Sequence, residues 1–257
     1  MLIIGSVITN GDYATTNIEL EQEIEYACFT SPQALRNIVI APANGNHDDN
    51  RKPYENHYNL PDNPAGVGGA GAVKGSIYSF TRGDALFMVI NTDADLVSQL
   101  NWMKTTANAS TAKWKIVMFH KSIYAVGDHI NAAVNDGTRI LISAVCDQAG
   151  IDLVLQGHDH CYVRTYPMYN NAKVSETIVN GYSQNPGGTV YLQTNGGAVK
   201  QYNLATTTPE YYVAKKISGE ATGPGYCAIE VTSTKLTIKF YRANDNALLD
   251  TYGIEKP

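Results

Sequence analysis

Residues 151–160 read Ile-Asp-Leu-Val-Leu-Gln-Gly-His-Asp-His, and the change of character halfway along this decapeptide decides the fold. Its first part is an apolar run of strand length, of the kind buried on both faces of a sheet. Its last part is a glycine followed by side chains that bind metals or move protons. Open α/β sheets build their sites at the carboxyl ends of their strands, and a buried run that breaks into ligand-type residues belongs at such an edge. The pattern recurs along the chain. The run 2–8 stops at Thr9-Asn10-Gly11-Asp12, the short β-branched run 37–41 closes on Asn44-Gly45-Asn46-His47-Asp48, and the run 113–119 delivers His120.

Between these strands lie helical patterns, so the order is that of an α/β architecture. Residues 18–29 form an amphipathic pattern, with Leu20, Ile24, Ala27 and Cys28 at helical spacing and acids on the other face. Residues 94–107 and 138–149 are predicted helices. Residues 76–80 and 85–91 are predicted antiparallel strands around Thr81-Arg82-Gly83-Asp84, and turn chemistry accounts for this Arg-Gly-Asp triplet better than cell adhesion does. Residues 49–75 read as a loop. Its Gly66-Val67-Gly68-Gly69-Ala70-Gly71 follows no strand and leads to no Gly-Lys-Ser/Thr, which argues against a phosphate cradle. Past His160 the pattern is mostly β, at 162–169, 189–194, 226–231, 235–241 and 247–254.

Composition narrows the class. At 257 residues, with 44% hydrophobic and 17% charged, the chain is a packed globular protein of one large domain and not a disordered or coiled-coil one. A net charge of −5 and the absence of any Lys/Arg run leave nothing to neutralise a phosphate backbone, so no nucleic-acid partner is expected. No apolar stretch approaches the roughly 20 residues of a membrane-spanning helix. Met1-Leu2-Ile3-Ile4 lacks a basic leader region and reads as an interior strand. Cys28, Cys146, Cys161 and Cys227 are too scattered for a zinc knuckle or a disulfide framework.

Asp12, Asn46, His120, His158 and His160 all lie just past a strand end. An oxygen and nitrogen donor set without thiolate suits Mn, Fe or Zn. If 158–160 stays extended, His158 and His160 point the same way, because strand side chains alternate with period 2, and they face adjacent metals. A carboxylate such as Asp12 can bridge two cations, and a pair of cations stabilises both attacking and leaving oxygens in phosphoryl transfer.

Gly11-Asp12, Gly45-Asn46-His47-Asp48, Val117-Met118-Phe119-His120 and Gly157-His158-Asp159-His160, in this order, resemble the calcineurin-like metallophosphoesterase superfamily. Ala41-Pro42, Tyr-Glu-Asn-His-Tyr-Asn-Leu at 54–60, Trp-Lys-Ile-Val-Met-Phe-His at 114–120 and Gly-His-Asp-His-Cys-Tyr-Val-Arg-Thr-Tyr-Pro at 157–167 resemble its purple acid phosphatase-like branch. The resemblance spans nearly the whole chain. It implies a single domain over 1–257 with a four-layer αββα sandwich, two mixed β-sheets flanked by helices, and residues 226–257 completing the second sheet. It implies a binuclear centre, with Asp12 bridging, Asn46, His120 and His158 completing one metal site, and His160 on the other. His47 would bind phosphate or protonate the leaving oxygen, with Asp48 orienting its ring. The implied activity is metal-dependent hydrolysis of a small phosphorylated substrate by a metal-activated hydroxide.

Two departures carry expectations. The family's aspartate-bearing first strand, ahead of the Gly-Asp motif, has no counterpart in this sequence, so the chain is expected to lack that strand and its ligand. Thr15 stands where the purple enzymes carry a ligand tyrosine, while Tyr13 occupies a different place. One metal site is therefore expected to be intact and the second, left with Asp12 and His160, incomplete, with a reduced rate and no tyrosinate-to-iron colour. The alternatives are a non-catalytic surface or binding protein with a degraded site, and a phosphodiesterase on the same scaffold. His129, in the loop after His120, is a candidate substrate contact, His57 a packing or hydrogen-bonding residue, and Arg164 either a phosphate contact or a strand-surface ion pair. The composition and the purple-phosphatase likeness suggest a secreted or cell-surface bacterial protein.

Overall fold

Side chains at the centre of the fold alternate between two buried faces. In the strands Ala85–Val89, Trp114–Met118, Leu153–Gln156 and Val190–Gln193, which pair in parallel, Met88, Val117, Val154 and Tyr191 point one way. Phe87, Val89, Ile116, Met118, Leu153, Leu155, Val190 and Leu192 point the other. Both sets are buried, which is why these runs carry no hydrophobic alternation in the sequence. The coordinates come from a computed structural model that describes residues 6–16, 18–48, 52–131, 137–207 and 211–257. The start of the first expected strand, at 2–5, lies outside the described residues.

These four strands form the middle of a seven-stranded mixed sheet, edged by Tyr78–Arg82 on one side and by Tyr162–Thr165 and Val213–Ile217 on the other, all three antiparallel to their neighbours. One face is covered by helices Leu96–Ala109 and Gly137–Ala149, through Leu100, Met103, Ala107, Ile142, Cys146 and Ala149. The first of these starts at Asp95, whose side chain accepts the Val97 amide as an N-cap. The other face packs on Leu236, Ile238, Phe240, Tyr252 and Ile254 of a five-stranded mixed sheet in the order Ile178–Val179, Tyr182–Gln184, Leu248–Glu255, Lys235–Arg242, Gly225–Val231. The expected pair of mixed sheets flanked by helices is present. Arg164 ties the sheets together. Its Nε and Nη2 donate to Asp250 at 2.8 and 3.2 Å, and the Tyr162 hydroxyl donates to the same carboxylate at 2.7 Å.

A separate parallel pair, Ser6–Thr9 with Val39–Pro42, aligns Thr9 with Pro42, so the loops 10–12 and 44–48 leave from the same end. Asn10 Nδ2 donates to the Gln156 carbonyl (3.0 Å) and the Gly157 amide to that of His120 (2.8 Å), which brings all four motif-bearing loops to one edge.

The structure differs from the sequence reading in several details. The loop 49–75 contains a helix, Lys52–His57, whose Tyr54 is buried in a cluster with Tyr13, Tyr26 and Tyr58. The strand Val213–Ile217 was not legible, being short and lysine-bearing at a sheet edge. Helix Glu19–Thr30 turns its apolar stripe outward: Leu20 is 73% and Ile24 58% exposed, while Gln22 and Tyr26 are its buried residues. Its inner neighbours are a polar loop and a tyrosine cluster, so hydrogen bonding and aromatic contact, not hydrophobic periodicity, set its rotation. The Arg-Gly-Asp triplet is a hairpin turn as expected, with Gly83 at φ 56.

Candidate metal centre

Two glycines let the first two ligand loops touch. Gly11 adopts φ 89, a conformation open to glycine without steric cost, and a Cβ there would sit 2.7 Å from the Asn44 carbonyl carbon and the Gly45 Cα. A Cβ on Gly45 would overlap the Asp12 carboxylate. Asp12 and His158 themselves hold left-handed backbone, φ 55 and 70. Non-glycine residues accept that cost where surrounding contacts over-determine them, and such residues cluster at functional sites.

The four loops converge on His120. Its Nδ1 lies 2.6 Å from the Asn10 carbonyl, which can only accept, so Nδ1 carries the donated proton and Nε2 presents its lone pair. Around that Nε2 stand Asp12 Oδ2 at 3.1 Å, Asn46 Oδ1 at 3.0 Å and His158 Nδ1 at 3.0 Å. Asp12, His120 and His158 offer ligand atoms that all lie within 4.8 Å of one another. Four electron-rich atoms facing one point could hold a cation between them, and oxygen and nitrogen donors without sulfur fit a hard or borderline divalent ion. The expected ligands of one site, Asp12, Asn46, His120 and His158, are thus brought together.

Without an ion, a proton fills that place. Burial pulls the His120 pKa down, but the hydrogen bond and charge of Asp12 outweigh it and hold the imidazole above its ordinary value. Burial pushes Asp12 up, and the His120 contact with the His47 amide more than reverses this, to about 2. Burial, then the charges of His120 and His129, drop His158 to about 3 and keep it neutral with a lone pair to give.

His47 is held through its backbone, its amide donating to Asp12 Oδ1 at 3.0 Å. Asp48 does not do what the sequence reading assigned. Its buried carboxylate accepts the amides of Asp12 (2.8 Å), Tyr13 (3.2 Å) and Gly45 (2.7 Å) and the Tyr26 hydroxyl (2.6 Å), so both oxygens are engaged in clamping the two loops together and not in orienting the His47 ring. Burial raises its pKa to about 6, against which these donors pull.

The stretch 157–161 is not extended. His158 is left-handed, and the Asp159 amide bonds the Gly157 carbonyl, so the alternation argument for His158 and His160 fails. His160 lies outside the gathered cluster. Its Nδ1 meets the Lys200 carbonyl at 2.7 Å, its ring stacks on Tyr202 (4.6 Å, 18°), and burial lowers its pKa. That carbonyl fixes the proton on Nδ1 and leaves the Nε2 lone pair available. Asp159, which the sequence reading passed over, is buried and accepts the amides of Val126, Gly127 and His129 at 2.9, 2.6 and 3.1 Å. It draws the loop inward so that the His129 ring stacks on His158 at 3.9 Å. His129 therefore reaches the centre. His57 does not: it pairs with Glu23 at 2.7 Å and stacks on Tyr26. Thr15 bonds Glu25 through both its amide and its hydroxyl, and Tyr13 packs into the tyrosine cluster, so neither offers a ligand.

The family model for calcineurin-like phosphoesterases matches residues 6–162. An uncharacterized protein of Mycobacterium tuberculosis is 24% identical over 236 residues, covering 79% of this chain and 44% of that protein. Purple acid phosphatase 4 of Arabidopsis thaliana is 27% identical over 143 residues, 54% of this chain and 34% of the relative. The chain spans less than half the length of these curated relatives. In fold it is similar to a purple acid phosphatase from yellow lupin seeds, with a TM-score of 0.73 and 17% identity over 98% of this chain and 46% of that one.

Proposed function

We propose, because this chain belongs to the calcineurin-like phosphoesterase family, that it hydrolyses phosphoesters with one divalent ion held by Asp12, Asn46, His120 and His158. The observation that carries the reading is the set of three donor atoms, from Asp12, Asn46 and His158, around His120 Nε2, which is itself fixed by the Asn10 carbonyl on the far side of the imidazole. A divalent ion bound there supplies Lewis acidity to a phosphoryl oxygen and makes water a nucleophile near neutral pH.

The protein's own groups have separable tasks. Asp12 stays ionised, since its carboxyl is held at about 2. The imidazole of His158 is kept neutral by burial. His47, fixed to Asp12 through its amide, donates the proton that the departing alkoxide takes up, a role within the ordinary reach of histidine. His129, stacked on His158, closes one side of the space and hydrogen-bonds the phosphoryl group. A second ion would have Asp12 and His160 and binds more weakly. The acidic chain favours small phosphorylated substrates over nucleic acid.

The test uses purified chain stripped with a chelator. Nitrophenyl phosphate should turn over with added Mn²⁺ or Zn²⁺ and not without it, with one tightly held equivalent per chain. Excess ion at about 100 times its Kd contributes about 2.7 kcal/mol to the folded state, which for a chain of this size raises the melting midpoint by roughly 5–10 °C. A folded sample that shows no turnover with any divalent ion sinks the hydrolase reading, and two tight equivalents sink the single-ion one.

A further inference from the structure

Helix Glu19–Thr30 buries two of its residues, Gln22 and Tyr26, and both are polar at their tips. They are four apart and share one face. Gln22 Nε2 donates to the His47 carbonyl at 3.1 Å and to the Thr16 carbonyl at 2.8 Å, an orientation that leaves its buried Oε1 without a protein partner. The Tyr26 hydroxyl donates to Asp48 Oδ1 at 2.6 Å. Thus consecutive turns of the helix hold consecutive residues of the loop that carries Asn46. The far face of the Tyr26 ring is backed by His57 (5.1 Å, 22°), itself fixed by Glu23 from the same helix. The apolar stripe of Leu20 and Ile24 is left in solvent to allow this rotation.

We propose that Gln22 and Tyr26 are positioning residues of the metal centre. Through the His47 carbonyl and the Asp48 carboxylate they fix the 45–48 loop against Asp12, so that Asn46 and Asp12 meet His120 at a set distance. Tyr26 anchors the clamp itself, because Asp48 with one donor missing is free to tilt and carry the Asp12 and Gly45 amides with it. Gln22 holds the next residue toward the ligand. Neither touches an ion or a substrate, and the proposal rests on the reading of Asp12, Asn46, His120 and His158 as a divalent-ion site.

The experiment is calorimetric titration of Mn²⁺ into the chelator-treated full chain and four variants, each with a circular dichroism spectrum and a melting midpoint. Tyr26→Phe and Gln22→Leu should each raise the Kd about tenfold, as loss of a group behind the ligands does. Tyr54→Phe is the control: its hydroxyl bonds the Pro42 and Gly75 carbonyls (3.3 and 3.4 Å) in the same tyrosine cluster but not Asp48. It should lower the melting midpoint comparably and leave Kd within twofold. His158→Ala should abolish binding. Should Tyr26→Phe not fold, Gln22→Leu decides. Wild-type Kd in both folded positioning variants, or equal weakening in Tyr54→Phe, overturns the proposal while the centre stands. Wild-type affinity in His158→Ala, or no saturable binding by the wild type, overturns the centre and the proposal with it.

Discussion

Replacing His120 by alanine should abolish saturable divalent-ion binding and cut phosphoester turnover by roughly three orders of magnitude while leaving a folded chain. Every other ligand atom of the cluster lies 3.0–3.1 Å from its Nε2, so its removal takes away the common partner and not merely one contact in four. A bound ion supplies several kcal/mol of charge stabilisation to the transition state, and each 1.36 kcal/mol is a factor of ten in rate. The ring is almost completely buried, so its loss also leaves Asp12 Oδ2 without its His120 partner and only Oδ1 bonded, to the His47 amide, at a stability cost of about 1–3 kcal/mol. Steady-state turnover with added Mn²⁺, read beside a melting curve, checks this. A folded variant that keeps wild-type turnover would place the chemistry elsewhere.

The strand-end positions of Asp12, Asn46, His120 and His158 were legible because two regularities coincide in the sequence. The runs before them are apolar enough to read as strands, and the residues after those runs carry ligand chemistry. What could not be read is the work of two acids that sit beside histidines, Asp48 after His47 and Asp159 after His158. A carboxylate next to a candidate catalytic histidine invites a chemical role. The structure uses both as hubs for backbone amides, three each, and amide donors leave no residue-type signal at any spacing. The rotation of helix Glu19–Thr30 was missed for the same reason: its inner contacts are a carbonyl and a carboxylate from residues more than twenty positions away. The left-handed His158 breaks the strand period between 158 and 160, so the two side chains do not alternate as those of an extended segment would. Long-range polar contacts, not hydrophobic pattern, thus shape the centre once the strands have brought its parts to one edge.

Gly45→Ala is therefore a severe change despite adding a single methyl. The new Cβ would overlap the Asp12 carboxylate oxygen and amide nitrogen and come within 2.8 Å of Asp12 Cγ. The Asp12 amide is backbone already committed to Asp48, so no flexible side chain can give way, and the two loops must part. Overpacking of this kind costs typically 1–3 kcal/mol. The larger effect falls on the centre, because Asp12 moves away from His120 and a displacement of about 1 Å at a reacting site can cost a factor of about 10² in rate. Ion affinity and turnover should therefore fall together by at least about a hundredfold, more than the melting midpoint alone would suggest. Gly137→Ala, at a helix position where a Cβ meets nothing within 4 Å, should change stability by no more than about 0.5 kcal/mol and leave ion binding untouched. Equal effects from the two substitutions would show that Gly45 is an ordinary loop glycine. A selective loss in Gly45→Ala would show that the apposition of two backbones makes the ligand set.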